Sequence, residues 1–225
     1  MTVVTKTEDY RRKLKSLDEW EPFLLRKSGL PGPRANIALA QAVADVGTRK
    51  QFDRFIAWNP DRAPAGSRQE FLAFCGTVGL GRLAAAGDTK ALPELRRLAL
   101  DPRWRVREGV AIALQRLGNS DMRALVTEMR TWANGNDYER RAAAAALCEP
   151  ALLTRQQDVR DVLAILDRIT RGLSEARDRR SDAFRTLRRG LGYCWSIAVA
   201  ASPEAGRPAM ERWMRHEDPD VRWVR

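Results

Sequence analysis

The sequence predicts an all-α fold, a right-handed solenoid of about five to six stacked helix pairs in a single domain over residues 1–225. Three observations predict it. Residues 85–118, AAGDTKALPELRRLALDPRWRVREGVAIALQRLG, hold two turn signals, Gly87-Asp88 and Asp101-Pro102, each opening a short segment that is apolar on one side. Two such helices cannot bury their own core and must stack on copies of themselves. The unit also recurs. ERRAAAAALCEP (139–150) aligns with VREGVAIALQRL (106–117), and arginines stand near equivalent places at 34, 68, 107, 140, 180 and 222, separated by 34, 39, 33, 40 and 42 residues. Finally, no period-2 apolar alternation persists, which removes the strands any α/β reading needs.

Residues 1–30 predict an N-terminal cap with helices over Tyr10–Leu17 and Glu21–Arg26, and repeats fill 28–217. PRANIALAQAVADVG (33–47) reads as a first helix with Gln51–Trp58 as its partner, and the Pro/Ala/Gly stretch Asn59–Gly66 is too short for a domain linker. Ser67–Ala84 followed by Asp88–Leu100 makes the next pair. Leu92, Leu95 and Leu98 give the latter helix its apolar stripe, Asp88 or Thr89 can cap it, and Pro93 sits in the first turn, where a missing N–H is harmless. Val106, Val110, Ala113, Leu114 and Leu117 form the stripe of a helix ending at Gly118, after which Asn119 or Ser120 caps a helix carrying Met122, Leu125, Val126, Met129 and Trp132. Asn134–Asp137 breaks the pattern. The 139–150 helix pairs with one opening near Thr154, marked by Val159, Val162, Leu163, Leu166 and Ile169. Ser181–Ala201 with Glu204–Met214 is the last full pair, and DPDVRWVR (218–225) restarts the motif of DPRWRVR (101–107) as a truncated last repeat. Arg225 falls inside this helical pattern, so either more chain follows or the last turn frays.

Net charge is +11 and the isoelectric point is near 10.4. Arginine supplies 34 of the 40 basic residues. Such a field attracts polyanions, and a compositional bias toward arginine would produce it equally well. The stretch 171–190, RGLSEARDRRSDAFRTLRRG, is the most basic, with seven arginines against three acids. Cys75, Cys148 and Cys194 are odd in number, widely spaced and in apolar settings, which predicts three buried thiols in a reducing compartment. The apolar runs are too short to span a membrane and the N-terminus turns charged before a signal core could form. A cytoplasmic monomer with no membrane association is expected.

The pattern Gly87-Asp88-x-x-Ala91-Leu92-Pro93-x-Leu95-x-x-Leu98, then Asp101-Pro102, Val106-Arg107 and Ala111-x-Ala113-Leu114, resembles the HEAT repeat, in the short bacterial variety shared with phycobilin-lyase-like proteins. The resemblance implies an α-solenoid. It also implies that the Val-Arg arginine bonds the turn aspartate of an adjacent repeat, making Arg107, Arg140 and Arg222 structural. One HEAT-like branch, the alkylpurine DNA glycosylases, is basic, of this size, and uses an Asp with nearby Trp residues. Its nearest counterpart here is Glu108 one helical turn after Trp104, with Trp195 downstream.

Ordinary hydrolytic and redox chemistry finds little support. His216 is the sole histidine, which removes most Ser-His-Asp and Cys-His arrangements and any two-histidine metal site. GTVGLG (76–81) is neither a dinucleotide fingerprint nor a Walker loop, and close helix packing explains it. Carboxylates are scattered among arginines as solvated faces. Arginine beside tryptophan stands out: Arg103-Trp104-Arg105, Arg222-Trp223, and Trp213 between Arg212 and Arg215. Either these tryptophans plug the seams between repeats, or arginine forks bind phosphate while a ring stacks on a base. Candidate polyanion-binding residues are Arg103, Arg105, Arg179, Arg180, Arg188 and Arg189. The sequence therefore predicts a non-catalytic scaffold, free of cofactor and metal, taking a protein or polyanionic partner, DNA included, on its concave face. The alternative is a DNA glycosylase acting in repair. A chromophore-lyase role rests on repeat similarity alone.

Overall fold

The computed structural model describes residues 5–222, and every regular element among them is helical. The chain forms two compact units, Met1–Arg116 and Leu117–Arg225, and the division falls within α7 (Trp104–Ser120). Within each unit consecutive helices alternate between two layers, which is α-solenoid construction.

The first unit holds α1 (Lys6–Lys15), α2 (Glu21–Lys27), α3 (Ile37–Val46), α4 (Arg49–Ile56), α5 (Glu70–Ala85) and α6 (Ala91–Leu98), with the start of α7. Side-chain caps set the boundaries. Thr5 accepts from the Glu8 amide at 3.3 Å, so α1 opens four residues before the expected Tyr10. Asn36 caps α3, and Thr48 and Gln51 form a reciprocal capping box on α4. One layer runs α1, α3, α5, while α2, α4 and α6 pack against α5. Residues 70–81 of α5 are all buried. That density explains GTVGLG. A Cβ at Gly76 would lie 2.7 Å from the Phe52 carbonyl oxygen, one at Gly79 2.6 Å from Phe52 Cγ, and one at Gly81 2.5 Å from Ala113 Cα. The glycines let α5 sit against Phe52 and against α7 at backbone contact.

The second unit holds α8 (Met122–Trp132), α9 (Asp137–Leu147), a 3-10 turn at Pro150–Leu152, α10 (Gln156–Ser174), α11 (Asp182–Ala201), α12 (Pro203–Met214) and α13 (Pro219–Arg222). α9 and α11 share one layer, and α8, α10 and α12 succeed one another in the second. α7 does not stop at Gly118 as its glycine suggests. It continues to Ser120, and Asp121, with extended backbone, caps α8 by accepting from the Ala124 amide at 2.9 Å. A Cβ at Gly118 would lie 2.7 Å from Leu125 and 2.8 Å from Leu152, so this glycine serves packing and not termination. Asn136 and Glu139 form a capping box on α9, and Ser181 caps α11. The restarted motif is represented by α13, with Val221 buried; Trp223 lies outside the described residues. Cys75, Cys148 and Cys194 are free and buried. Burial raises the Cys75 thiol pKa, and a hydrogen bond with Cys194, then burial, raises that of Cys148.

Candidate functional site

The predicted arginines divide by what their guanidinium groups touch. Arg103 precedes α7 and is 2 % exposed. Its fork grips Asp101 (Nη2 to Oδ2 2.7 Å, Nε to Oδ1 2.9 Å), while Nη1 donates to the carbonyls of Trp58 at 2.7 Å and Ala63 at 3.2 Å. Arg105 donates to Glu70 Oε2 at 3.2 Å and to the Gly32 carbonyl at 2.7 Å, with its guanidinium 4.6 Å from the centre of the Trp104 ring. Both therefore hold the 28–36 and 57–69 loops to α7, and the structure corrects the expectation that they face a polyanion. A charge already neutralised in a dry site is not available to neutralise a phosphate.

The arginines that the repeat pattern singles out make the following contacts. Arg107 donates to the carbonyls of Asp101 and Pro102 in its own turn, at 2.7 and 3.0 Å. Arg49 reaches the turn aspartate of a neighbouring pair, bonding Asp53 at 2.7 Å, Asp88 at 3.2 Å and Glu94 at 2.7 Å. Arg140 stays with Asp137 on its own helix at 3.4 Å, and Arg222 is exposed.

The glycosylase-like set does not survive intact. Trp104 is exposed and Glu108 half-buried one turn further along α7. Trp195 is fully buried in α11, its indole N–H donating to Thr170 Oγ1 at 2.9 Å. A ring enclosed on both faces cannot stack on a lesion. Trp213 is likewise a core residue, donating to Asp167 Oδ1 at 3.0 Å, and His216 Nδ1 accepts from the Asp218 amide at 3.2 Å.

In the basic stretch 171–190, three arginines are committed. Arg171 reaches Asp167 at 3.2 Å. Arg179 bonds Asp218 through both Nη atoms at 2.6 and 2.9 Å and Asp220 at 3.2 Å, and Arg188 bonds Asp220 as well. These contacts dock α13 and engage the Arg179 and Arg188 forks with carboxylates. Hydrogen bonds from Arg179, then backbone N–H groups of Asp220 and Val221, hold the Asp218 carboxyl below its ordinary value despite burial. A depressed folded-state pKa contributes stability above the unfolded value of 3.8 and loses it as pH falls through the lower folded one. Asp218→Asn should therefore lower the urea midpoint of the second unit at pH 6, with the gap to the parent protein closing by pH 2–3. A gap that persists there would separate the effect from this carboxylate.

Arg177, Arg180, Arg185 and Arg189 differ. All four are exposed, and among the described residues no carboxylate lies within ion-pair distance of them. Arg180 and Arg189 are among the predicted polyanion-binding residues, and both are exposed. The sequence reading missed Arg177 and Arg185, and it missed Tyr193, which is 70 % exposed. The signal was present: 185, 189 and 193 recur every fourth residue, one line along a helix. The second unit also has a cleft of about 350 Å³ lined by residues 118–123 with Ala151, Leu152, Thr154, Arg155 and Asp158. It places Arg123 and Arg155 among Asp121 and Asp158, so its charge is balanced. Among the described residues no cluster of three metal-ligating side chains occurs and no helix is long and apolar enough to cross a membrane.

Comparison with known proteins adds the following. Curated proteins give no match. Among solved structures, one engineered protein is similar at 15 % identity over 98 % of this chain and 94 % of its own, with a TM-score of 0.39. A second engineered protein shows 12 % identity over 98 % and 96 % with a TM-score of 0.40. A designed armadillo repeat protein shows 12 % identity over 89 % and 96 % with a TM-score of 0.29. The family described as HEAT repeats matches residues 79–148, which run from α5 through α9 and contain the two-helix unit first seen at 85–118. Over residues 79–148 this chain is similar to HEAT repeats, within a fold whose described elements are all helical and stack in pairs.

Proposed function

We propose that the protein is a non-catalytic binding scaffold whose second unit takes a polyanionic partner on the arginine surface around α11. One observation carries the reading. Arg177, Arg180, Arg185 and Arg189 are exposed and have no acidic partner among the described residues, while Arg171, Arg179 and Arg188 are paired with carboxylates of this chain. A long arginine side chain left solvated beside so many acids keeps its fork for an incoming phosphate or sulfate. Duplex or single-stranded nucleic acid and sulfated polysaccharide share that chemistry.

Binding of the full chain to heparin and to a fluorescent oligonucleotide, titrated against salt, tests it. Log Kd should vary linearly with log salt, because each neutralised phosphate releases condensed counterions. Replacing Arg177, Arg180, Arg185 and Arg189 together by glutamine should cut the slope by about 3 for the oligonucleotide, leaving the unfolding midpoint unchanged. Affinity indifferent to salt, or an unchanged slope in the fourfold variant, would overturn the reading.

A further inference from the structure

We infer that α11 is built to bind single-stranded nucleic acid, with Arg185 and Arg189 holding successive phosphates and Tyr193 stacking on an unpaired base. This rests on the polyanion-binding reading and narrows it to one class of partner. The geometry begins with the helix. Arg185, Arg189 and Tyr193 lie on one line at four-residue spacing, and each step climbs about 6 Å along the axis. All three are exposed. A fully extended nucleotide backbone can present its phosphates at a comparable interval.

The rest of the surface agrees. Ser181, capping α11, and Asp182 stand at its N-terminal end, and Asp182, the only acid in the helix, accepts from Tyr138 of α9 at 2.9 Å. The Arg141 stem of α9 lies alongside α11, 3.6 Å from where a Gly190 Cβ would sit. Ser196 and Ala200, three and seven residues beyond Tyr193 on the neighbouring line of the helix, are both exposed and small. The Tyr193 side chain makes no hydrogen bond among the described residues. A large ring 70 % exposed at the end of a cationic row is the combination that single-strand binders use, since every base offers a π-face while the arginines follow the backbone. A duplex hides its base faces in the stack, and an acidic peptide has no flat ring to offer. Neither gives Tyr193 a role.

The test uses the full chain, a fluorescent 12-nucleotide oligothymidine, a duplex of equal length, a poly-glutamate peptide and heparin. Anisotropy titrations should place the single strand tightest among the first three. Tyr193→Ala should weaken it roughly 5- to 150-fold, the span seen when one stacking aromatic is removed, without changing the salt slope. Tyr193→Phe should retain binding, because the ring and not the hydroxyl makes the contact. Arg185→Gln with Arg189→Gln should instead reduce the slope. Equal affinity for duplex or poly-glutamate, or indifference to Tyr193→Ala, overturns this inference while heparin binding leaves the broader reading standing. Absence of binding to every polyanion, heparin included, overturns both. Unchanged circular dichroism and unfolding midpoints in the variants exclude misfolding as the cause, as expected for solvated positions.

Discussion

Glu70→Ala should destabilise the first unit by about 3–5 kcal/mol, the cost of stranding one partner of a buried ion pair. Glu70 is fully buried, its Oε2 accepting from Arg105 at 3.2 Å and from the Gly66 amide at 2.7 Å. Removing the carboxylate leaves a guanidinium in a dry site and an amide with no acceptor. The pair is not itself a source of stability. Glu70 Oε1 and Arg105 Nε are buried with no hydrogen-bond partner among the described residues, so its desolvation is incompletely offset. Glu70→Leu combined with Arg105→Met should therefore recover most of the loss, and urea unfolding of the single and double variants checks both halves. A Glu70→Ala cost below about 1 kcal/mol would mean that water reaches the pair.

Gly81→Ala should destabilise the same unit by about 1–3 kcal/mol or more, although alanine is the better helix former by about 1 kcal/mol. The new methyl would sit 2.5 Å from Ala113 Cα and 2.8 Å from its carbonyl carbon. Backbone cannot step aside as a flexible side-chain end can, so α5 and α7 must separate. Gly190→Ala in α11 is the matched control. Its methyl would meet nothing closer than Arg141 Cγ at 3.6 Å, so the helix-propensity gain should appear as a stabilisation of about 0.5–1 kcal/mol. Opposite shifts in the two unfolding midpoints are expected. A stabilising Gly81→Ala would show that α5 and α7 are held apart in solution.

The helices were legible because their determinants are local. The stripe Val106, Val110, Ala113, Leu114, Leu117 needs only neighbours three and four residues away, and all five are buried. Errors fell where a residue has both a local and a tertiary use. Gly118 reads as a stop signal, yet Leu125 and Leu152 press on it and the helix runs to Ser120. Trp195 reads as a possible stacking ring, yet Thr170 completes its burial.

Charge behaved in the same way. The seven arginines of 171–190 are alike in the sequence, and the pairing of Arg179 and Arg188 depends on acids 39 and 41 residues downstream of Arg179, at 218 and 220. Arg103 and Arg105 look like an open cationic pair until loops some 40 and 73 residues upstream close over them. By itself the sequence determined the helices, their pairing and the repeat, since apolar periodicity and capping act within a turn or two of chain. Only the tertiary structure decided which arginines are spent on the fold and which stay exposed, because ion pairing is settled by through-space distance and dehydration, neither of which is written in local order.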